Sequence, residues 1–268
     1  MTRWAFLGAG SMAGAMVHGL ITNRVAGPLF ISCISGSGRT AEALARSTGI
    51  QIAPSLAALV EGCDVLIVAC KPQQLASLDP ALASLTAGKL VVSVLAGKRL
   101  ATLARFFPRT RALVRVMPNT PGQIGAGISG WCANAALGDE DRATLLALLH
   151  ALGREVEVAE HDMDALTAVA GSGPAYVFEF VAALREAGVR AGLAPDTAAL
   201  LVQETVLGAA RLLAHTGATP DSLRDRVTSP NGTTAAALKV FGDRDFRGMV
   251  ANAVAAAARR SQELSADS

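Results

Sequence analysis

Residues 3–16 read Arg3-Trp4-Ala5-Phe6-Leu7-Gly8-Ala9-Gly10-Ser11-Met12-Ala13-Gly14-Ala15-Met16. The run Trp4-Ala5-Phe6-Leu7 is short and wholly apolar, as suits a parallel strand buried on both faces. It meets Gly8-x-Gly10-x-x-Ala13, and helix formers continue to Leu20. Strand, glycines and helix in that order form a dinucleotide fingerprint in its expected context. Gly8 permits the tight turn, Gly10 lets backbone approach a pyrophosphate, and Ala13 backed by Gly14 lets helix and sheet pack closely. The free amides and positive dipole end of that helix favour an anion. Glycines also serve ordinary turns, so the rest of the chain has to agree.

Working outward, short apolar runs alternate with helical stretches. Strands are expected at 29–34, 49–52, 64–70, 90–94 and 111–117, with helices at 40–47, 55–60, 73–85 and 100–107. A strand at 125–133, a helix at 139–152 and a strand at 155–158 close this half. The alternation predicts an α/β fold, a Rossmann-type doubly wound parallel sheet with right-handed crossovers. From 159 onward the periodicity is helical, at 163–169, 175–192, 196–215, 221–227, 233–241 and 246–264, with Gly and Pro at the joins. The expected division is a dinucleotide-binding domain at 1–158 and an all-α substrate-binding and dimerisation domain at 159–268. Ala, Leu and Gly dominate its helices with few charges, which favours faces buried between subunits over a compact monomeric bundle.

The totals narrow the function classes. The chain has 268 residues, 51% hydrophobic and 4% aromatic, with 24 basic against 22 acidic side chains. No dense Lys/Arg cluster points to nucleic acid or to a membrane surface. Cys33, Cys63, Cys70 and Cys132 have no C-x-x-C or metal spacing and read as reduced core thiols. No signal peptide and no uncharged apolar run of membrane-spanning length is expected, so a cytoplasmic location fits.

After the second strand comes Ser35-Gly36-Ser37-Gly38-Arg39-Thr40, without the acidic residue that holds a ribose 2′-OH. Hydroxyls and an arginine suit a 2′-phosphate, which favours NADPH and leaves NADH possible; a polar surface turn has the same composition. Lys71-Pro72-Gln73 and Met117-Pro118-Asn119-Thr120-Pro121 follow later strands at ends where ligands lie in open α/β sheets, or are structural turns. The four histidines, His18, His150, His161 and His215, lack a carboxylate relay. No Ser-His-Asp spacing, H-E-x-x-H or P-loop is present. Chemistry that needs little acid–base help, such as reduction of a cyclic imine already protonated on nitrogen, fits that absence. Val227-Thr228-Ser229-Pro230-Asn231-Gly232-Thr233-Thr234 opens a helix whose amides would hold a carboxylate, or is an ordinary Ser/Thr cap.

Taken together, Gly8-Ala9-Gly10-Ser11-Met12-Ala13, Lys71-Pro72-Gln73, Met117-Pro118-Asn119-Thr120-Pro121, Gly171-Ser172-Gly173-Pro174-Ala175-Tyr176 and Thr228-Ser229-Pro230-x-Gly232-Thr233-Thr234 resemble pyrroline-5-carboxylate reductase. The resemblance runs on to the closing helix, through Arg260-Ser261-Gln262-Glu263-Leu264. It implies reduction of 1-pyrroline-5-carboxylate to L-proline with NAD(P)H, and a homodimer that assembles further into a decamer. Carried over by position, Gly8, Gly10, Ser11 and Met12 lie at the pyrophosphate, and Ser35, Ser37 and Arg39 near the 2′ position. Ala69, Lys71 and Ala96 lie beside the ribose and nicotinamide. Glu160, Gly232, Thr233 and Thr234 form the substrate pocket, with Thr234 hydrogen-bonded to the imine nitrogen. Where the family usually has Ser-Pro-Gly-Gly, Asn231 adds a side chain to that pocket; where it often has Asn-Arg near the 2′ site, this chain has Gly36-Ser37. A paralogue acting on another cyclic imine acid is the nearest rival. A β-hydroxyacid dehydrogenase is disfavoured, because Val177 stands where that group carries its catalytic lysine. A nucleotide-sensing scaffold would have lost Thr233 and Thr234.

Overall fold

The computed structural model describes residues 1–36 and 38–266. Packing divides the chain into two compact units, one of Met1–Ser172 with the stretch from Ala256 onward, the other of Gly173–Ala255. The sequence-based boundary at 158/159 marks where helical periodicity begins. The units divide fourteen residues further on, because 159–172 and the end of the last helix pack with the sheet.

The first unit carries strands β1 (Trp4–Leu7), β2 (Ile31–Ile34), β3 (Gln51–Ile52), β4 (Val65–Val68), β5 (Leu90–Ser93), β6 (Ala112–Met117), β7 (Gly127–Ala133) and β8 (Gly153–Glu157). Its helices are α1 (Ser11–Thr22), α2 (Arg39–Thr48), α3 (Leu56–Glu61), α4 (Leu82–Leu85), α5 (Leu100–Phe106), α6 (Asp139–His150) and α7 (Met163–Leu166). The strands form one eight-stranded sheet in the order β3-β2-β1-β4-β5-β6-β7-β8. This is a Rossmann-type, parallel-dominated sheet, as the alternation predicts. The one change of direction lies between β6 and β7, so that β7 and β8, parallel to each other, run against the other six strands. Alternation of strand and helix carries no direction label, and the connection from Met117 to Gly127 is too short for a helical crossover.

Strand pleating sorts the core into two layers. Trp4, Phe6, Val65, Ile67, Leu90, Val92, Val114 and Val116 pack with Met16, Val17 and Leu20 of α1 and Leu145, Leu148 and Leu149 of α6. The alternate residues Ala5, Leu7, Leu66, Val68, Val91 and Leu113 pack with Leu59 of α3, Leu103 of α5 and Met163 of α7. Cys33, Cys63 and Cys132 are buried free thiols, and burial pushes Cys63 and Cys132 up to about 11. Two helical expectations are broken. The stretch 73–85 splits into a 3-10 turn, Pro72–Ser77, and α4, because Pro80 cannot continue the ladder. The helix after Met163 widens into a π segment, Thr167–Gly171, closed by Ser172 N–H donating to Thr167 O at 2.8 Å.

The second unit holds α8 (Gly173–Arg190), α9 (Pro195–Thr216), α10 (Pro220–Arg226), α11 (Thr233–Asp243) and the start of α12 (Phe246–Ala266). Pro195 and Pro220 sit at first helical positions, where their missing amides cost nothing, and Gly217 (φ +62°) ends α9 in the left-handed region. Among its hydrophobic side chains only Ala198 and Val202 are buried in the single chain, whereas Phe178 is 65% and Leu200 62% exposed. That much uncovered apolar surface needs a partner. Glu160–Arg190 and Pro195–Thr216 are also long and apolar enough, by length and composition, to cross a bilayer.

Candidate nucleotide and substrate sites

The β1–α1 turn stands at the point where the sheet order reverses, between β1 and β4. Gly8 has φ +112° and donates its amide to Ile34 O at 2.8 Å. A Cβ built on it would overlap Ala69 O and lie 2.6 Å from Cys70 N, so the turn presses directly on the end of β4. Gly10 is the reverse case. It is exposed with φ −79°, and a Cβ there would meet nothing within 4 Å. The space above Gly10 is therefore open for a ligand. Gly10 caps α1 without a side-chain hydrogen bond, and the ladder begins with Gly14 N–H to Gly10 O at 2.9 Å. The amides of Ser11, Met12 and Ala13 precede that first bond and point their dipoles at the same space. These features fit a dinucleotide pyrophosphate.

The neighbouring strand ends supply the flanks. Ala69 is half-buried against Gly8, and exposed Lys71 follows it. The Lys71 loop is held by its own backbone: Lys71 N–H donates to Gln74 Oε1 at 3.0 Å and Gln74 N–H to Lys71 O at 2.8 Å. After β5, Ala96 is exposed in a tight turn ahead of Gly97 (φ +71°). Beyond β2, Ser35 Oγ accepts the Ala41 amide at 3.3 Å, and exposed Arg39 opens α2. Ser37 lies outside the described residues. Gly8, Gly10, Ser11, Met12, Ser35, Arg39, Ala69, Lys71 and Ala96 thus all sit at the carboxyl ends of the adjacent strands β2, β1, β4 and β5 or just beyond.

The second group lies in the helical unit. Gly232 N–H donates to Ser229 O at 3.0 Å, closing a turn with Pro230 and Asn231 at its centre. Asn231 has φ +60°, the left-handed conformation Asn tolerates better than most residues. Gly232 then caps α11 at φ −79°, again with no side-chain cap, and a Cβ there would collide with Ser229 Oγ. The first-turn amides of Thr233, Thr234 and Ala235 precede the first ladder bond, Ala236 N–H to Gly232 O at 3.1 Å. Two uncapped helix starts with glycine at the cap, α1 and α11, are thus built alike in separate units. Asn231→Gly keeps the turn conformation, so thermal stability should change by less than about 1 kcal/mol. A larger loss of stability would mean that the Asn231 side chain itself holds the turn.

Glu160 is placed in the sheet unit. Its Oε1 accepts the Leu100 amide at the start of α5 at 2.6 Å and lies 3.3 Å from Arg115 Nη1. Arg115, 4% exposed in the middle of β6, was not singled out in the sequence, although one charge in Ala112-Leu113-Val114-Arg115-Val116-Met117 was a visible signal. Asn119 is a second omission in role. Its Oδ1 accepts Ile128 N–H at 3.0 Å and its Nδ2 donates to Ala170 O at 3.2 Å, tying the Met117–Pro121 motif to β7 and the π segment. All four histidines are exposed, and no metal-binding group of three or more His, Cys, Asp or Glu exists among the described residues.

Residues 160–264 match the family described as pyrroline-5-carboxylate reductase dimerisation. Residues 3–97 match the family described as NADP oxidoreductase, coenzyme F420-dependent. A pyrroline-5-carboxylate reductase of Synechocystis is 40% identical over 96% of this chain and 96% of its own. That of Pseudomonas aeruginosa is 39% identical, covering 98% and 96%. The solved structure of a pyrroline-5-carboxylate reductase from Coxiella burnetii has a TM-score of 0.91 at 32% identity, covering 98% of each chain. Plasmodium falciparum pyrroline carboxylate reductase with NADP bound has a TM-score of 0.85 at 29% identity, again covering 98% of each.

Proposed function

The chain belongs to the pyrroline-5-carboxylate reductase family, and from that premise we propose that it reduces 1-pyrroline-5-carboxylate to L-proline at the expense of NADPH. The observation that carries the reading is the uncapped start of α1 after the Gly8 turn at the sheet's reversal point, open above Gly10 and suited to a pyrophosphate, with the uncapped start of α11 suited to a carboxylate. NADPH, when bound, supplies the hydride that reduces the imine carbon.

The residues of the chain do the binding and orienting. The α1 amides and Gly10 receive the pyrophosphate; Ser35, Ser37 and Arg39 receive the 2′-phosphate; Ala69, Lys71 and Ala96 flank the ribose and nicotinamide. The amides of α11, with Gly232 and Thr233, anchor the substrate carboxylate beside Asn231. The protonated ring nitrogen donates to Thr234 Oγ1, which fixes the orientation of the imine carbon. No general acid is needed, because that proton is on nitrogen before the C=N bond is reduced. The uncovered faces of α8 and α9 are read as the cover of a homodimer, with a decamer as the higher assembly, rather than as membrane spans. A cytoplasmic enzyme with residues 1–158 for the nucleotide and 159–268 for substrate and dimerisation follows from the same reading.

The test is NADPH oxidation with 1-pyrroline-5-carboxylate, pyrroline-2-carboxylate and piperideine-carboxylate, with 3-hydroxy acids run in reverse. Turnover led by 1-pyrroline-5-carboxylate is expected; a lead by any other substrate overturns the assignment. Arg39→Ala should weaken NADPH more than NADH, by about 5- to 10-fold for one lost exposed phosphate contact. Equal losses for the two cofactors would remove Arg39 from the 2′ site.

A further inference from the structure

The loop 94–99 between β5 and α5 is held from three sides within the sheet unit. At its start, Val94 N–H donates to Val68 O at 3.1 Å. At its end, Glu160 Oε1 takes the Leu100 amide at 2.6 Å. In its middle, Gly97 lies so close to the end of α12 that an added Cβ would stand 3.2 Å from Leu264 Cβ and 3.3 Å from Leu264 O. The middle and end holds are themselves joined. Asp164, buried on α7, accepts Ser261 Oγ at 2.6 Å, and Ser265 Oγ lies 3.5 Å from the same carboxylate oxygen. Asp164 follows Glu160 by one helical turn, so the end of α12 grips both the loop and the segment that presents Glu160. Arg115, buried on β6, lies 3.3 Å from the same Glu160 oxygen, Oε1, that takes the Leu100 amide. Between the holds, Ala96 is exposed.

We infer that Glu160 is a positioning residue for the dinucleotide and not a substrate contact: with Asp164, Ser261 and Leu264 it clamps the loop that carries Ala96 against the nicotinamide side. The clamp rests on the reading of Ala96 as a cofactor wall. The physical reason is that an exposed tight turn takes its position from the segments that pack on it. One oxygen of Glu160, Oε1, is engaged by both an amide and a buried guanidinium. Recruiting it to substrate would strip the Arg115 charge of its partner, which is costly inside a sheet.

Glu160→Gln keeps an acceptor for Leu100 N–H and removes the charge facing Arg115; Ser261→Ala opens the clamp at its other end and touches no site residue. For each, three quantities are read on the full-length protein: NADP⁺ Kd by calorimetry, KM for the imine at saturating NADPH, and Tm. The clamp predicts NADP⁺ Kd raised about 5- to 20-fold in both variants, with imine KM and kcat at saturating NADPH within about 2-fold of wild type. A raised imine KM with unchanged NADP⁺ Kd in Glu160→Gln returns Glu160 to the substrate and overturns the inference. A lowered Tm with unchanged NADP⁺ Kd in both also overturns it, leaving an architectural role alone. If Glu160→Gln does not fold, Ser261→Ala decides. Ala96→Phe separates the underlying reading: if that variant binds NADP⁺ as wild type does, Ala96 is no cofactor wall and the premise fails, independently of the clamp.

Discussion

Gly10→Ala will leave the melting temperature close to that of wild type and weaken NADPH binding, whereas Gly8→Ala will lower both. At Gly10 the backbone is extended, φ −79°, and a methyl group meets no atom within 4 Å, so the fold has no reason to object. The cap exchanges glycine for alanine, worth less than about 1 kcal/mol. The only thing a methyl group obstructs there is a ligand arriving over the α1 amides. At Gly8 an alanine has to adopt φ +112° and to displace the backbone of Ala69 and Cys70 at the end of β4. Strain alone costs about 1–3 kcal/mol, or roughly 5- to 150-fold in an equilibrium constant, and the overlap adds to it. Relief requires the turn to move, which carries the α1 amides away from the place proposed for the pyrophosphate. Thermal melts and NADP⁺ titrations of the two variants separate the outcomes. Wild-type NADPH affinity in Gly10→Ala would mean that nothing binds over this turn.

Thr234→Ala is the second large effect. Thr234 is half-buried in the first turn of α11, where the backbone donors have no side-chain cap. In the proposed function those amides anchor the carboxylate and are untouched by the substitution. What is lost is the hydroxyl oxygen proposed to accept from the protonated ring nitrogen. A hydrogen bond to a charged group is worth about 1.5–3 kcal/mol, so kcat/KM should fall by about 10- to 150-fold. Thr234→Ser should keep most of the activity, and NADP⁺ affinity and Tm should stay near wild type in both. A wild-type rate in Thr234→Ala would leave the backbone alone to position the imine.

The nucleotide half was legible because its chemistry is local. Strand, Gly8, Gly10, Ala13 and helix lie within a dozen residues, and each glycine's role follows from a steric demand that sequence spacing already encodes. The turn at Asn231 was legible for the same reason: Pro and Asn at successive positions specify a turn with a left-handed third residue. What escaped was set by distant partners. The antiparallel course of β7 depends on which strand edge is free. The split at Pro80 and the π segment at Thr167–Gly171 fall inside otherwise helical patterns. The bonds of Glu160 to Leu100 N–H and Arg115 span 60 and 45 residues, so no local spacing announces them. The return of the chain from Ala256 onward to the sheet unit is likewise a packing outcome, invisible to periodicity.

The most direct measurement of the central claim follows deuterium from NADPH dideuterated at C4 into the product. The protein is incubated with that cofactor and 1-pyrroline-5-carboxylate, and the product is examined by mass spectrometry and proton NMR. Orientation by the α11 amides and Thr234 predicts L-proline one mass unit heavier, with the label on the ring carbon next to nitrogen that does not bear the carboxylate. Label on the carboxylate-bearing carbon when pyrroline-2-carboxylate is supplied, together with no labelled proline from 1-pyrroline-5-carboxylate, would contradict the account.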